Sequence, residues 1–208
     1  MQQTLDMATW PRRDHFQFFR KFEEPFFGLC VELDCNGAYQ RSKEEGSSFF
    51  LNYLWFALHA ANGIEPFRYR ISGDDVMVYE TVHASPTINR PDGTFGFAYM
   101  DYHPDRTVFL QEAAKERDRV QASTGLVPSV PGQNVLHMSA LPRVRFSGLS
   151  HARALSFPDS CPKVAFGKMT ETNGRRTLPV SLHVHHALMD GYHAGQYLEQ
   201  LGSLLREL

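Results

Sequence analysis

The chain lacks the usual signs of a membrane, a nucleic acid or an oxidising compartment. No apolar run is long enough to span a bilayer, and Asp6, Arg12, Arg13 and Asp14 interrupt the N-terminal stretch where a signal core would lie. Basic charge is not in excess: 21 Lys and Arg stand against 23 Asp and Glu, a formal net charge of −2, with no basic stripe. Neither nucleic acid nor membrane is therefore an expected partner. Cysteine is scarce. Cys30, Cys35 and Cys161 are odd in number and lack metal-type spacing, so Cys30 and Cys35 read as packed, reduced thiols in a cytoplasmic protein. There is no internal repeat, low-complexity run or linker, and 208 residues suit one domain spanning residues 1–208 with one good core.

The hydrophobic pattern supplies the elements. Phe16, Phe19 and Phe22 predict a helix over residues 12–22, ended by Glu23-Glu24-Pro25. Phe26 to Leu33 is rich in strand formers. Asp34 is placed to cap a helix running to about Glu45, and Ser47 or Ser48 to cap a second helix so apolar that it must be buried. A hairpin around Gly73-Asp74 joins Phe67–Ile71 to Val76–Tyr79, and strands are expected at 82–88 and 94–100. A charged helix follows over residues 105–121, then a loop from Ser123 to Asn134 and short strands at 134–139 and 144–146. A last hairpin, turning at Asn173-Gly174, pairs Val164–Met169 with Arg176–Val184. Hairpins mixed with helices indicate an α+β fold, a mixed sheet with helices packed on one face.

Within this order, Leu178 to His193 concentrates four of the ten histidines beside one acid, Asp190, and Gly191. Val180, Leu182 and Val184 alternate with Ser181, His183 and His185, which is strand periodicity; the phase puts His186 on the buried side. After Gly191, Ala194, Tyr197, Leu198, Leu201, Leu204, Leu205 and Leu208 form one helical stripe. His186 thus sits where a buried strand ends, a position at which a rigid scaffold fixes a side chain.

The segment His185-His186-Ala187-Leu188-Met189-Asp190-Gly191 resembles the HHxxxDG signature of the chloramphenicol acetyltransferase family, shared with dihydrolipoamide acyltransferase catalytic domains. Thr9 to Phe16, Pro25-Phe26-Phe27-Gly28, Thr87 to Phe95 and Met138-Ser139-Ala140-Leu141-Pro142 match that family in type and order, so the resemblance covers nearly the whole chain. It implies the two-layer CoA-dependent acyltransferase fold and a homotrimer with active sites at subunit interfaces. The implied reaction moves the acetyl group of acetyl-CoA to the primary hydroxyl of chloramphenicol, conferring antibiotic resistance, with acetyl-CoA as co-substrate and no metal.

By that resemblance His186 is the general base and Ser139 donates to the tetrahedral oxyanion. Asp190 pairs with Arg12, rather than with His186, as an organiser of the loop; Arg13 is the nearest competitor. Phe95 lines the acceptor pocket, with Phe19 and Phe27 as further candidates and Phe97 on the same strand face. Lys168 lies near the coenzyme. Each has a plainer reading: His186 as a structural histidine, Ser139 as a turn residue, Arg12 and Lys168 as solvated surface charges, and the alternating Phe95, Phe97 and Tyr99 as core. Two departures stand out. Ala165 occupies the place, three residues before Lys168, where relatives often carry a water-holding threonine, and Phe19 replaces a tyrosine that touches the acceptor in some of them.

Two rivals belong to other classes. His183, His185 and His193 are close enough in sequence to converge on zinc, although no carboxylate or cysteine at a metal-like interval completes them. A non-catalytic trimer that binds a small molecule is the other, suggested by Ala165. A dihydrolipoamide acyltransferase core is disfavoured because no lipoyl module or flexible linker precedes residue 12.

Overall fold

The computed structural model describes residues 2–126, 132–153, 156 and 158–207. In chain order the elements are β1 (Gln2–Thr4), α1 (Arg13–Phe19), β2 (Phe26–Asp34), α2 (Asn36–Glu44), α3 (Phe49–Asn62), β3 (Tyr69–Ser72), β4 (Asp75–Tyr79), β5 (His83–Asn89), β6 (Phe95–Phe97), α4 (Arg106–Gln121), β7 (Val135–Ala140), β8 (Lys163–Phe166), β9 (Thr170–Thr172), β10 (Arg175–His185) and α5 (Gly191–Arg206). A 3-10 turn, Glu65–Arg68, precedes β3. The expected loop from Ser123 to Asn134 falls partly outside the described residues, and so does Leu208.

The local chemistry explains most boundaries. The Ser48 side chain accepts from the Leu51 amide at 3.4 Å and starts α3, and Asp105 caps α4 through the Thr107 and Val108 amides. Asp34 does not cap α2 directly. It accepts from the Asn36 amide at 3.0 Å while Cys35 takes the cap position without a side-chain bond. Asn173 (φ 52°) and Gly174 (φ 77°) both occupy the left-handed region, as a two-residue hairpin turn with right-twisted strands requires. Residues 144–146 form no strand. Val144 accepts one bond from the Lys168 amide beyond the end of β8, whose two edges are already taken by β7 and β10, so no ladder is open to it.

A mixed seven-stranded sheet runs β2-β10-β8-β7-β5-β6, with β9 added to β10. The β5–β7 and β7–β8 pairs are parallel and the others antiparallel. A second sheet, β1-β4-β3, lies apart from it; β1 is an edge strand that sequence periodicity did not reveal. On β10, Val180, Leu182 and Val184 join the core with Leu54, Phe56 and Leu58 of α3 and Tyr197, Leu201 and Leu205 of α5. Fully burying side chains of this size stabilises by about 1.5–3 kcal/mol each before entropy is counted. The fold is α+β, a mixed sheet with helices packed on it.

Burial on β10 does not alternate. Ser181 and His185 are as enclosed as their apolar neighbours, because the segment after β7 covers the other side of the sheet. The strict in-and-out phase expected for this strand is therefore replaced by an apolar face and a buried polar face. His185, expected on the open side, is more buried than His186.

Candidate active site

His186 follows the last residue of β10, its amide bonded to the Pro25 carbonyl at 2.8 Å. Its ring lies flat on Phe19, with centroids 3.8 Å apart and 5° between planes, and Phe27 tilts against it at 4.8 Å. Phe19 comes from the end of α1 and Phe27 from β2, where it pairs opposite Val184. Two expected acceptor-pocket residues are thus walls of the imidazole itself. Nδ1 of His186 is enclosed and has no hydrogen-bond partner among the described residues.

Asp190 caps α5. Its Oδ1 accepts from the Tyr192 amide at 3.0 Å and lies 3.0 Å from His193 Nδ1, while Oδ2 receives Arg12 Nη1. Burial alone would raise the carboxyl's pKa; Arg12, the Tyr192 amide and His193 outweigh it, and the net shift is downward. Arg12 Nη2 also reaches the His186 carbonyl at 3.5 Å. The pair therefore ties the N-terminal segment to the strand end rather than forming a relay with the His186 ring. Arg12 and Asp190 keep 14% and 33% side-chain exposure, so stranding either charge costs less than in a fully buried pair, about 1–3 kcal/mol.

Ser139 lies elsewhere. It pairs with Ala165, which pairs with Ser181, so Ser139 and His186 are two strands and five residues apart. At strand spacings of about 4.8 Å and rises of about 3.3 Å, that is roughly 19 Å within one chain. Ser139 lines a cavity of about 430 Å³ together with Phe97. Phe95, expected to line the acceptor pocket, is 41% exposed and edge-on to Phe97 at 5.6 Å but is not among the residues that line this cavity. These rings are not core: Gly96, Ala98 and Met100 carry the buried phase of that stretch.

The cavity floor is the polar face of the sheet. Cross-strand pairing sets Ser85, His137, Lys163 and His183 in one row and Ser139, Ala165 and Ser181 in the next. Lys163 is 6% exposed, bonded through Nζ to Asp159 at 2.5 Å and to the Cys161 carbonyl at 3.2 Å. Burial, with the Lys163 cation adding to it, pushes His137 down to about 4; burial with His183 and Lys163 does the same to His151. Both imidazoles are neutral at pH 7. Beside them Gly28 is required: a Cβ there would lie 2.3 Å from His183 Nε2.

This polar row escaped sequence reading. Lys163 opens an otherwise apolar strand four residues after Asp159, the one local signal that could have exposed it. Lys168, singled out instead, is exposed. Ala165 is fully buried, and Ser181 is the nearest hydroxyl on its other side, its Oγ 3.2 Å from His183 Nδ1.

The zinc reading fails on geometry. His183, His185 and His193 do not converge: His193 is held by Asp190, His183 by Ser181, and His185 Nδ1 accepts from the Ala187 amide at 3.2 Å. Among the described residues, the one group with metal-ligand proximity is His137, Asp159 and Cys161, whose ligand atoms lie within 4.8 Å of one another. Asp159 is already neutralised by Lys163, and burial raises the Cys161 thiol, which donates to the Gln133 carbonyl at 3.3 Å, so two of the three groups are already engaged. Cys30, Cys35 and Cys161 are all free thiols. No described helix is long and apolar enough to cross a membrane.

Comparison with known proteins places the chain in a family. A chloramphenicol acetyltransferase from Streptomyces acrimycini is 29% identical over 206 residues, covering 98% of this chain and 94% of the relative. Chloramphenicol acetyltransferase 3 of Escherichia coli is 27% identical over 203 residues, covering 96% and 95%. A solved chloramphenicol acetyltransferase superposes with a TM-score of 0.86 at 31% identity, covering 99% of this chain and all of that one. A dihydrolipoamide acetyltransferase of Azotobacter vinelandii shares the fold alone, with a TM-score of 0.64 at 16% identity, covering 93% of this chain and 86% of that one. A sequence model of chloramphenicol acetyltransferase matches residues 1–202. The chain belongs to the chloramphenicol acetyltransferase family.

Proposed function

We propose that this protein is a chloramphenicol O-acetyltransferase, a single domain acting as a cytoplasmic homotrimer, with acetyl-CoA as donor. The observation that carries the proposal is the division of the site. His186, Phe19 and Phe27 form one half, and Ser139, Phe97 and the cavity form the other, roughly 19 Å away by strand geometry. A direct transfer needs base and oxyanion donor within a few ångströms of one hydroxyl. The halves meet only if His186 of one copy faces Ser139 of the next. Exposed Phe18 and Phe22, packed against Phe19 beside His186, leave apolar surface there for a neighbour to cover.

The enclosed Nδ1 cannot reach an acceptor, so Nε2 of His186 takes the proton from the drug's primary hydroxyl. The oxygen attacks the thioester carbonyl, and the resulting oxyanion accepts a hydrogen bond from Ser139 Oγ of the adjoining copy. Collapse expels coenzyme A thiolate, which recovers the proton from His186; no acyl-enzyme forms. Phe19, stacked on the imidazole, fixes the plane of the ring. Asp190 and Arg12 hold the loop, and Lys168 offers an exposed cation to the coenzyme phosphates.

Purified protein given acetyl-CoA, chloramphenicol and a thiol reagent should release coenzyme A. His186→Ala should lower the rate by about 10²–10⁴, whereas His185→Asn, which keeps a short polar side chain, should retain most activity. Drug binding without thiol release by the unaltered protein would instead identify a non-catalytic binder.

A further inference from the structure

β6 is a short edge strand that carries one wall of the cavity. It is three residues long, pairs with β5 alone, and supplies Phe97. Beyond Phe97 the backbone stays bonded to β5, through the Ala98 amide to Pro86 and in both directions between Met100 and Ala84. The other end of the strand, at the turn, has no neighbouring strand on its outer side and needs a different restraint.

Arg90, the first residue past β5, supplies one. Its backbone amide closes the turn on the Thr94 carbonyl at 2.9 Å. Its guanidinium then reaches three places at once. Nη1 donates to the Phe95 carbonyl at 3.0 Å and Nε to the Val120 carbonyl at 3.2 Å, while Nη2 donates to Ser123 Oγ at 3.1 Å and the Gly125 carbonyl at 2.9 Å. Val120 lies in the last turn of α4, where carbonyls lack intrahelical donors and favour a cation. Ser123 Oγ itself donates to the Val120 carbonyl at 2.8 Å, so the acceptors are tied to one another. All four acceptors are uncharged oxygens in different directions, which suits the rigid fork of arginine and not the point charge of lysine.

Gly96 makes room for this fork. It is the middle residue of β6, opposite Ile88, and a Cβ there would collide with Arg90 Nη2 and lie 2.7 Å from Val120 Cγ1. Side chains alternate along a strand, so Phe95 and Phe97 leave from the face opposite the one on which the guanidinium and α4 lie. The clamp and the aromatic wall are thus two sides of the same three residues.

Resting on the acyl-transfer reading above, we propose that Arg90 is a positioning residue for the acceptor: seated over Gly96, it locks the turn end of β6 to α4 and so fixes where Phe97 meets the drug. It touches neither substrate nor reacting atoms. Without the clamp the drug must order the wall as it binds, and that loss falls on acceptor affinity. The His186 ring is held separately, by Phe19 and Phe27, so the chemical step is spared.

The test varies chloramphenicol and acetyl-CoA separately in a thiol-release assay of the unaltered protein, Arg90→Lys, Arg90→Met and Gly96→Ala. KM for chloramphenicol should rise by about five- to twentyfold in each variant, while kcat and KM for acetyl-CoA stay within about twofold. Equilibrium dialysis should show the same loss of drug affinity. On the Arg90→Met background, Gly96→Ala should add less than it does alone, because the fork it displaces is already gone. If Arg90→Met does not fold, Ser123→Ala, which removes one acceptor of the fork, takes its place with a rise of about two- to threefold. An unchanged chloramphenicol KM in folded variants of an active protein would overturn the assignment alone, as would an equal rise in both KM values. If the unaltered protein neither binds nor acetylates the drug, the acyl-transfer reading fails and this assignment falls with it.

Discussion

The two halves of the site solve different problems. Around His186 the protein builds with rings and backbone: Phe19 and Phe27 clamp the imidazole, the Pro25 carbonyl fixes its amide, and the nearest charges, Arg12 and Asp190, neutralise each other. Around Ser139 it builds with side-chain dipoles in register, four of them in the row from Ser85 to His183. The first arrangement suits one group that must be correctly aimed. The second suits recognition, where many weak donors are offered to one occupant. A single chain holds both but does not bring them together, so in the proposed trimer the chemistry would depend on a second copy.

The largest effect should come from breaking that dependence. His186→Ala and Ser139→Ala, each nearly inactive alone, should regain measurable activity when the two are unfolded together and refolded as mixed assemblies. In some mixed assemblies an intact His186 meets an intact Ser139. Loss of the Ser139 donor alone should lower kcat by about 10²–10³. No recovery on mixing, with assembly verified by sedimentation, would place both groups in a site within one chain.

Sequence and structure coincide where local rules suffice. Ser48, Asp105 and Asn173-Gly174 mark their boundaries because capping and left-handed turns involve residues close in the chain. The His186, Asp190 and Arg12 arrangement was legible only through resemblance, since 174 positions separate Arg12 from the His186 carbonyl it reaches. The polar floor left only one local trace, Lys163 opening an apolar strand four residues after Asp159. His137 and Lys163 become neighbours through a parallel pairing, and a covering segment turns what alternation calls an open face into a buried one. Val144 failed as a strand for a similar reason: propensity cannot tell that both edges of β8 are occupied.

A smaller difference between the halves should appear on acidification. Burial lowers His137, His151 and His185 to about 4; it also lowers His193 in the Arg12–Asp190 corner, where the Asp190 carboxylate opposes it. Because the folded pKa values are depressed below the unfolded imidazole value of about 6.5, the unfolded chain binds more protons between about pH 4 and 6.5. Stability should therefore hold above pH 6.5 and fall as pH drops through that window, by up to about 1.4 kcal/mol per pH unit for each proton. Denaturant midpoints measured from pH 7.5 to 5 check this. His151→Asn should flatten the slope, and an unchanged slope would mean that the imidazoles on the polar floor do not resist protonation.

The smallest effect concerns the row that contains Ala165. Ser139 and Ser181 flank it in register, all three on one face, so a hydroxyl is missing from the middle strand and present on the outer two. Ser181 is fully enclosed and already shares a hydrogen bond with His183 Nδ1, which leaves it a further lone pair or its proton for a water beside Ala165. If Ser181 compensates for Ala165, Ser181→Ala should lower kcat by about three- to tenfold, the value of one water-mediated contact, with little change in KM. Restoring a hydroxyl at the middle strand, as Ala165→Ser on the Ser181→Ala background, should recover part of that loss. Ala165→Ser is a better choice than Ala165→Thr, because a second methyl-sized group at a fully buried site would itself cost about 1–3 kcal/mol in strain. Equal kcat for both variants and the unaltered protein would show that this row needs only the hydroxyl of Ser139, and that the alanine is a neutral replacement rather than a compensated one.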